Sequence, residues 1–562
     1  MSLPSRNMIS KFLADHAPKG IDVVAVLVAQ LIFWIGIMRY IELPGLFHDA
    51  INPDYIVARS LNDQLTNPGG PLPTQWFPLL GNLYHGVQNY YVGLPIYWFF
   101  GMNIVSARLA QALFGSAIVF LLYVVSVRLT RNRFISFVAA VGLASDIAFL
   151  ASFRSQFYII LGGEAWLFAA LSFLPLSSVS AKQLKLSCIL AGICCGFAVY
   201  GYFVFLFFLP GFLWLILCQR DIDSWKAVTY WIVGIIIGSL PYVLGYVSLF
   251  IKFGRIKLAF AWFKGAIFGM GILSAQQTLW EKFNYALSMI HLALSNNGNV
   301  AMIFSYSQSY DELVGNGFVG NAKLYLFYTV FALGVVFALR SYQRRGVGNN
   351  AIGPQLVILP LSYFFFAMLL GSRLWAHHFS VFVPLFYLLG GIVVSEIYQL
   401  IKPRIASVAS GRAEIPIGLV IGLLLFTNFH QQQVFFENLD KTGGTGKATS
   451  ALTQLAEEAM TAQGKEVYFF PEWGFFPSFN LLTGNRIPYE LELDSRKIQQ
   501  YAQSNRDLHL LFWTASDTEK YVSILKHEGL TVPETSVRTF YRRDGNPAFY
   551  MLSASYPNRP VN

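Results

Sequence analysis

The stretch from Leu186 to Cys218, LSCILAGICCGFAVYGYFVFLFFLPGFLWLILC, contains no charged residue. An uncharged apolar stretch this long is typical of a chain that folds inside a lipid bilayer. As one α-helix it would extend about 50 Å at 1.5 Å per residue, whereas the hydrocarbon core of a bilayer is about 30 Å thick. The stretch therefore predicts two short membrane segments that form a hairpin turning near Gly201.

The composition of the whole chain supports a membrane protein. Its 562 residues are 55% hydrophobic and only 12% charged, whereas a soluble chain carries about 25% charged residues. The net charge of +10 comes mainly from loops beside apolar runs, where cations set membrane topology. We find no motif of interleaved basic and aromatic residues, so the charge does not indicate nucleic-acid binding.

The apolar runs predict a polytopic α-helical membrane protein with about 11 transmembrane helices. With the turn near Gly201, the basic clusters between the runs fall on one side of the membrane, which the positive-inside rule makes cytoplasmic. We therefore expect a multi-pass plasma (inner) membrane protein with a cytoplasmic N-terminus. The predicted spans lie near residues 22–40, 104–127, 134–151, 158–178, 186–200, 203–218, 228–250, 323–340, 355–371, 377–398 and 415–430.

The topology divides the chain into two predicted domains. Residues 1–433 form a transmembrane domain with outer loops at 41–103 and 251–322. Residues 434–562 form a soluble extracytoplasmic α/β domain, in which GKEVYFFP and DLHLLFW are typical of buried strands. Its last strands are predicted to form a hairpin that turns at Asp544 and Gly545.

Two arginines are predicted on the outer face, where the sorting rule disfavours positive charge. Arg154 lies in LASFRSQFY and Arg373 in GSRLWAHHF. Guanidinium groups bind phosphate oxygens in a bidentate manner, which makes both residues candidates to bind an anion at the outer interface. The alternatives are arginines that extend to the surface from a helix end, and an ion pair with Glu164.

The carboxylates of the first outer loop are candidates for proton transfer or metal binding. Asp49 and Asp54 lie in LFHDAINPDYIVARSL, where His48 precedes Asp49. An aspartate at the interface can act as a general base toward an acceptor hydroxyl, or bind a divalent metal. One histidine and one aspartate indicate a metal only weakly. The alternative role, capping of a following helix, suits Asp54 better than Asp49.

Other ionisable residues are weaker or secondary candidates. His377 and His378 follow Arg373, and a neutral imidazole there could donate a hydrogen bond to a leaving oxygen. In the second outer loop, Asp311 and Glu312 lie in SYSQSYDELVGNG. Ser309 lies three residues before Glu312 and glycines follow, a spacing more typical of helix start and stop positions than of a substrate contact.

Several stretches resemble the bacterial GT-C glycosyltransferases, the polytopic relatives of protein O-mannosyltransferases and lipid A aminoarabinose transferases. PGLFHDA after the first span is similar to the family's PGL-x-x-DEA stretch. The stretches that resemble later family segments, in the expected order, are GMNIVSARLAQALFG, ASFRSQF, AGICCGFAVYGYFVF, DELVGNGFVGNAKLYLFYTVFALGV and SRLWAHHFSVFVPLFYLLGG. The likeness covers about residues 20–430.

The resemblance implies a transferase that uses a polyprenyl-phosphate-linked sugar as donor at the outer membrane face. It gives Asp49 the role of general base toward the acceptor hydroxyl, with inversion at the anomeric carbon, and it places Arg154 and Arg373 at the leaving phosphate. The family's Asp-Glu pair is Asp49-Ala50 here, so the glutamate function is either missing or supplied by Asp54. Metal dependence, the sugar (a hexose or a pentose) and the acceptor (glycan, lipid or protein) stay open.

Two other classes of protein compete with this prediction. A lipid or sugar transporter would place ionisable groups near the bilayer midplane and show inverted repeats, and a buried midplane pair would favour that class. A catalytically inactive membrane scaffold would keep the fold and present its C-terminal domain to a partner. The Asp49-Ala50 departure from the family pattern is the feature that favours a scaffold.

Overall fold

The structure is a computed structural model. It describes residues 20–51, 78–82, 84–155, 158–175, 180–219, 223–253, 257, 277–294, 297–304, 318–343, 352–405, 414–462, 465–504, 506–533 and 536–555. Residues 54–65 and 258–273, within the two predicted outer loops, lie outside these residues.

Helices form most of the described part of residues 20–442. In chain order they are α1 (Gly20–Met38), α2 (Gln88–Phe100), α3 (Ile104–Thr130), α4 (Arg133–Ala144), α5 (Ile147–Ser152), α6 (Tyr158–Phe173), α7 (Ala181–Gly201), α8 (Leu209–Leu217), α9 (Ser224–Gly238), α10 (Leu240–Phe253), α11 (Leu279–Leu294), α12 (Asn297–Phe304), α13 (Phe318–Gln343), α14 (Ile352–Gln355), α15 (Ile358–Leu370), α16 (Ala376–Phe379), α17 (Phe382–Ile405) and α18 (Glu414–Thr442).

The prediction of a polytopic membrane protein is confirmed. Within the described residues, six helices are long and apolar enough to cross a bilayer, or seven if α9 and α10, which meet at a 42° bend, form one span. The predicted count of 11 is not reached by this criterion, because several predicted spans are short or broken helices. At the expected turn near Gly201, α7 ends, Tyr202 is extended, and a 3₁₀ helix at Phe203–Phe208 leads into α8.

Helices α7 and α9 pack so closely that their backbones touch. A Cβ atom on Gly192 would lie 2.1 Å from the carbonyl oxygen of Trp231, and one on Gly238 would lie 2.1 Å from that of Ile193. Gly196 and Gly234 occupy the same crossing. Small residues spaced by four let membrane helices approach in this way, and dispersion contacts between backbones then hold the pair together.

The C-terminal α/β domain is present as predicted. It contains α19 (Ala451–Thr461), α20 (Phe476–Leu482), α21 (Ser495–Gln503) and α22 (Thr518–His527). Its strands are β3 (Glu466–Phe469), β4 (Tyr489–Glu490), β5 (Asp507–Phe512), β6 (Val537–Tyr541) and β7 (Pro547–Ala554). The first two strands of the chain, β1 (Leu80–Asn82) and β2 (His85–Gly86), lie in the predicted first outer loop and are not part of this domain.

The five strands of this domain form one mixed sheet in the order β4-β3-β5-β7-β6. Strand β3 is parallel to β4 and β5, whereas β7 is antiparallel to β5 and β6. The hairpin between β6 and β7 turns at Gly545, whose φ of 80° suits glycine. One face of the sheet packs against α19 and α20, and the other against α21 and α22.

Candidate functional site

Asp49 lies in a 3₁₀ helix, His48–Ile51, that we call the Asp49 turn. Its backbone is closed by a bond from the Ala50 N–H to the Phe47 carbonyl, 3.0 Å long. The side chains of His48 and Asp49 lie outside the described ones, as do residues Asp54, Asp311 and Glu312 entirely. Their predicted roles therefore stay predictions, and the geometry below concerns the backbone of the turn and what surrounds it.

Arg154 is buried and binds the backbone that leads to the Asp49 turn. Its Nη1 donates to the carbonyl oxygens of Tyr40 at 2.6 Å and Leu43 at 2.5 Å, and its Nη2 donates to those of Ile37 at 2.7 Å and Arg39 at 2.6 Å. The last carbonyls of a helix lack partners within the helix, and a guanidinium fork supplies several donors at once. In this structure the terminal N–H groups of Arg154 donate to backbone carbonyls, and its contact with a phosphate stays a prediction.

The alternative of an Arg154–Glu164 ion pair is also not found among the described side chains. Glu164 is fully buried in α6, and neither carboxylate oxygen has a hydrogen-bond partner in the part of the chain that the structure describes. An unpaired buried carboxylate is costly. Glu164 therefore remains a candidate site residue.

Two residues of α3 that sequence reasoning missed also hold this segment. Arg108 is buried and donates to the carbonyl oxygens of Ile41 and, at 2.5 Å from Nη2, Pro44. Gln111 donates to the carbonyl of Ala50 at 3.2 Å, inside the Asp49 turn. Their polar character within the apolar run GMNIVSARLAQALFG could have identified them, because charged groups inside a span are rare and usually have a role.

A second group consists of imidazole and phenol rings in mutual contact, which we call the His–Tyr cluster: Tyr84, His85, Tyr202, His377 and His378. The His378 Nε2 lies 3.0 Å from the Tyr202 hydroxyl. The His85 ring stacks on Tyr202 at 6.1 Å, and the His377 and His378 rings are 4.0 Å apart. The chain thus brings three regions more than a hundred residues apart into one contact group.

Unsatisfied ring nitrogens point to a polar ligand at this cluster. Within the described residues, neither the Nε2 atom of His85 nor the Nδ1 atom of His377 has a hydrogen-bond partner, although both rings are buried. Buried polar groups in folded proteins are nearly always hydrogen-bonded. The His377 and His378 rings are in contact, and the half-buried Arg373 ends a 3₁₀ turn four residues before His377; the role predicted for these three residues stays a prediction. His85 was missed because an isolated histidine in a loop has no distinctive spacing.

Residues next to the His–Tyr cluster and the Asp49 turn pack in one apolar cluster. Ile51, at the end of the turn, and Val87, two residues after His85, belong to one buried apolar cluster that also contains Leu46 and Tyr90. The residues that follow His85 and the Asp49 turn are therefore held by the same apolar packing.

A buried ion pair lies elsewhere in the membrane domain. The Lys323 Nζ lies 2.6 Å from Asp146 Oδ2, and both side chains are fully buried. Tyr387 also donates to Asp146, at 2.6 Å. Lys323 lies only five residues inside α13, about 8 Å along the helix axis, so the pair is nearer one end of that helix than its middle. It does not favour a transporter.

The described residues offer no group of three or more His, Cys, Asp or Glu side chains arranged to bind a metal ion. The side chains of the predicted metal ligands His48, Asp49 and Asp54 lie outside those described, so divalent metal binding stays a prediction.

Part of the sequence matches a model of a known protein family. The family model described as dolichyl-phosphate-mannose-protein mannosyltransferase matches residues 70–256, which include Arg108, Arg154 and most of the His–Tyr cluster. No curated protein matches the chain.

Two solved structures share the architecture over nearly the whole chain. The crystal structure of ArnT from Cupriavidus metallidurans bound to undecaprenyl phosphate matches with a TM-score of 0.55 and 12% identity, covering 97% of this chain and 100% of ArnT. The apo structure of the same ArnT matches with a TM-score of 0.52 and 12% identity, covering 95% and 98%. The resemblance found in the sequence is confirmed at the level of fold: this chain has the polytopic fold of a GT-C membrane glycosyltransferase.

Proposed function

We propose that the protein is a membrane glycosyltransferase that moves a sugar from a polyprenyl-phosphate donor to an acceptor hydroxyl at the outer membrane face. The observation that carries the proposal is the agreement in fold with ArnT, which has been crystallised with undecaprenyl phosphate. The mannosyltransferase family model, which covers Tyr84, His85 and Tyr202 of the His–Tyr cluster, supports the same reaction class.

In the proposed reaction the acceptor oxygen attacks the anomeric carbon of the donor sugar. The bond from that carbon to the phosphate oxygen breaks, polyprenyl phosphate leaves, and the anomeric centre inverts. Asp49 takes the acceptor proton as the new bond forms. Arg373 stabilises the charge that develops on the leaving phosphate, a stabilisation that is strongest where water is excluded.

The His–Tyr cluster is suited to the donor side of this reaction. Its free nitrogens on His85 and His377 would hydrogen-bond the sugar or phosphate oxygens, and its aromatic faces would contact the sugar ring. Arg154 acts indirectly in this proposal, because it fixes the backbone before the Asp49 turn. A second carboxylate function, if the reaction needs one, would come from Asp54 or Glu164.

The finer assignments belong to the same proposal. The transmembrane domain would span residues 1–433, with its N-terminus in the cytoplasm, and residues 434–562 would face the periplasm or cell exterior from the plasma (inner) membrane. The sugar would be a hexose or a pentose, since the fold is compatible with either. A divalent metal at the first outer loop would have to be held by His48, Asp49 or Asp54.

A transfer assay tests the reaction class. Purified protein in lipid would receive a panel of radiolabelled undecaprenyl-phosphate hexoses and pentoses, with an envelope extract as acceptor. The proposal predicts that one donor loses its label to the acceptor fraction and releases undecaprenyl phosphate. Absence of transfer from every donor by folded protein would contradict it, and label crossing the bilayer of proteoliposomes while still on its lipid would favour a transporter.

A further inference from the structure

The C-terminal domain contacts the Asp49 turn directly. We propose that this domain is a positioning part of the catalytic site, and that α20 holds the turn through Ser478. The proposal rests on the proposed function for the reaction itself, and on backbone contacts for the positioning.

The central contact is a buried hydrogen bond between Ser478 and Leu46. The Ser478 Oγ donates to the Leu46 carbonyl oxygen at 2.7 Å, and Ser478 and Leu46 are 0% and 3% exposed. The turn closes itself through the Phe47 carbonyl instead, so the Leu46 carbonyl accepts its bond from outside the turn. A buried carbonyl without a partner is costly, which makes the serine hydroxyl part of what fixes the turn.

Apolar packing strengthens the same contact. Leu481, on α20, is fully buried in the cluster that contains Leu46 and Ile51. The Phe47 ring meets the Trp473 ring edge-on at 5.9 Å. Residues on both sides of Asp49 are thus packed against the C-terminal domain.

A second contact lies just before the turn, where two backbones meet. A Cβ atom on Gly45 would lie 2.0 Å from the Thr449 carbonyl oxygen, and one on Gly444 would lie 2.4 Å from Pro44 Cβ. The two backbone segments, residues 44–45 and residues 444–449, are therefore too close for a side chain to fit between them. Because of this contact, we expect the two segments to move together. The segment 444–449 also contacts α12, because the Thr445 N–H donates to the Ile303 carbonyl at 2.9 Å.

Together with Arg108, Arg154 and Gln111, these contacts hold the segment from Ile37 to Ile51 on two sides. The membrane domain supplies the donors on one side and the C-terminal domain supplies them on the other. Displacement of a reacting group by about 1 Å can cost about a hundredfold in rate. Ser478 therefore affects the rate of transfer by holding the Asp49 turn in place, without contacting the substrates itself.

The test compares Ser478→Ala with Ser523→Ala in full-length protein in lipid nanodiscs. Ser523 is an exposed serine of the same domain whose hydroxyl bonds within α22 to the Glu519 carbonyl, so it is a matched control. Amide hydrogen exchange of residues 43–51, followed by mass spectrometry, reports the order of the turn without any need for activity. Transfer kinetics give kcat and the KM for the donor.

For Ser478→Ala we expect exchange in residues 43–51 to rise about fivefold to tenfold, in keeping with the loss of one buried hydrogen bond. The kcat should fall about tenfold to a hundredfold, with the donor KM within about twofold of wild type. A purely structural role would instead lower the yield of folded protein and leave kcat per folded molecule unchanged. Ser523→Ala should match wild type throughout.

The possible contrary results are distinct. Unchanged exchange in residues 43–51 overturns the positioning role whatever the activity, and raised exchange with unchanged kcat overturns it as well. Wild-type protein that transfers no sugar overturns the proposed function, whereas the exchange comparison still decides whether α20 holds the turn. If Ser478→Ala does not fold, Ser478→Cys keeps nearly the same volume with a weaker donor and is read by the same criteria.

Discussion

Arg154 and Tyr40 are joined by a hydrogen bond of 2.6 Å, from a guanidinium Nη1 to a backbone carbonyl oxygen. The two residues are more than a hundred positions apart, and the bond is one of several from this guanidinium to the end of α1. Arg154, which the sequence made a candidate for binding an anion, thus donates to the protein's own backbone in this structure.

We predict that Arg154→Lys loses stability as well as activity. An ammonium group cannot reach the four carbonyls that the fork serves, and each buried carbonyl left without a partner costs about 1–3 kcal/mol. Thermal unfolding of the purified protein should therefore occur at a clearly lower temperature, with at least about tenfold less transfer. The matched control is Arg39→Lys, at an exposed position.

The same variant separates the two roles of Arg154. If the guanidinium bound the donor phosphate instead, Arg154→Lys would raise the donor KM and leave the unfolding temperature near that of wild type.

The hydrogen bond between Tyr202 and His378 gives a second prediction. Tyr202→Phe keeps the ring that stacks on His85 and removes only the hydroxyl at 3.0 Å from His378 Nε2. We expect transfer to fall about tenfold to a hundredfold, the range for a positioned proton-transfer or hydrogen-bonding group. The unfolding temperature should change little. Steady-state kinetics on the active donor measure the effect, and equal kcat and KM for both proteins would remove the cluster from the proposed site.

The crossing of α7 and α9 gives a prediction about folding. Gly196→Leu places a large side chain where a Cβ atom would already lie 2.5 Å from the Ile235 carbonyl, so the two helices must separate. We expect loss of most monodisperse protein in size-exclusion chromatography. The control is Gly422→Leu on α18, a position where a Cβ atom would meet nothing within 4 Å. Similar yields for the two variants would contradict the close packing.

The C-terminal sheet should lose stability in acid at Glu466. The His509 ring, whose Nε2 lies 3.3 Å from Glu466 Oε1, lowers the pKa of the Glu466 carboxyl below its ordinary value of 4.5. Burial opposes this shift, and the hydrogen bond that Tyr468 donates to Glu466 adds to it. Because the folded state has the lower pKa, Glu466 contributes stability above about pH 4.5, and that contribution disappears as the pH falls through the folded pKa.

Unfolding temperatures of wild type and Glu466→Gln between pH 7 and pH 3 test this prediction. The difference between the two proteins should be largest near neutral pH and vanish at the acid end. A difference that grew in acid would have the wrong sign. Glu519→Gln, at an exposed carboxylate of α22, serves as the control.

Local features of the fold were predictable because they are encoded by local patterns. Apolar runs gave spans within a few residues of α1, α3 and α13, and the Asp544-Gly545 pair predicted the β6–β7 hairpin. A charge inside a span is also visible in the sequence, although Arg108 was not recognised. The order of the quoted stretches indicated the GT-C fold.

The partners of the site residues were not predictable in the same way. The bonds of Arg154 go to backbone carbonyls, which every residue carries, so no sequence pattern distinguishes them from a phosphate. Ser478 is one serine among many, and its partner Leu46 is more than four hundred residues away. Lys323, on α13, pairs with Asp146, the residue that precedes α5, although the two are more than a hundred residues apart.

The most direct test of the proposed function is the activity of Asp49→Asn, measured as release of undecaprenyl phosphate from the active labelled donor in the presence of acceptor. Asparagine has nearly the size of aspartate but cannot take the acceptor proton, so transfer should fall about a hundredfold to ten-thousandfold, with donor binding and unfolding temperature near those of wild type. Transfer by Asp49→Asn at the wild-type rate would contradict the assignment of Asp49 as the base, and with it the proposed site.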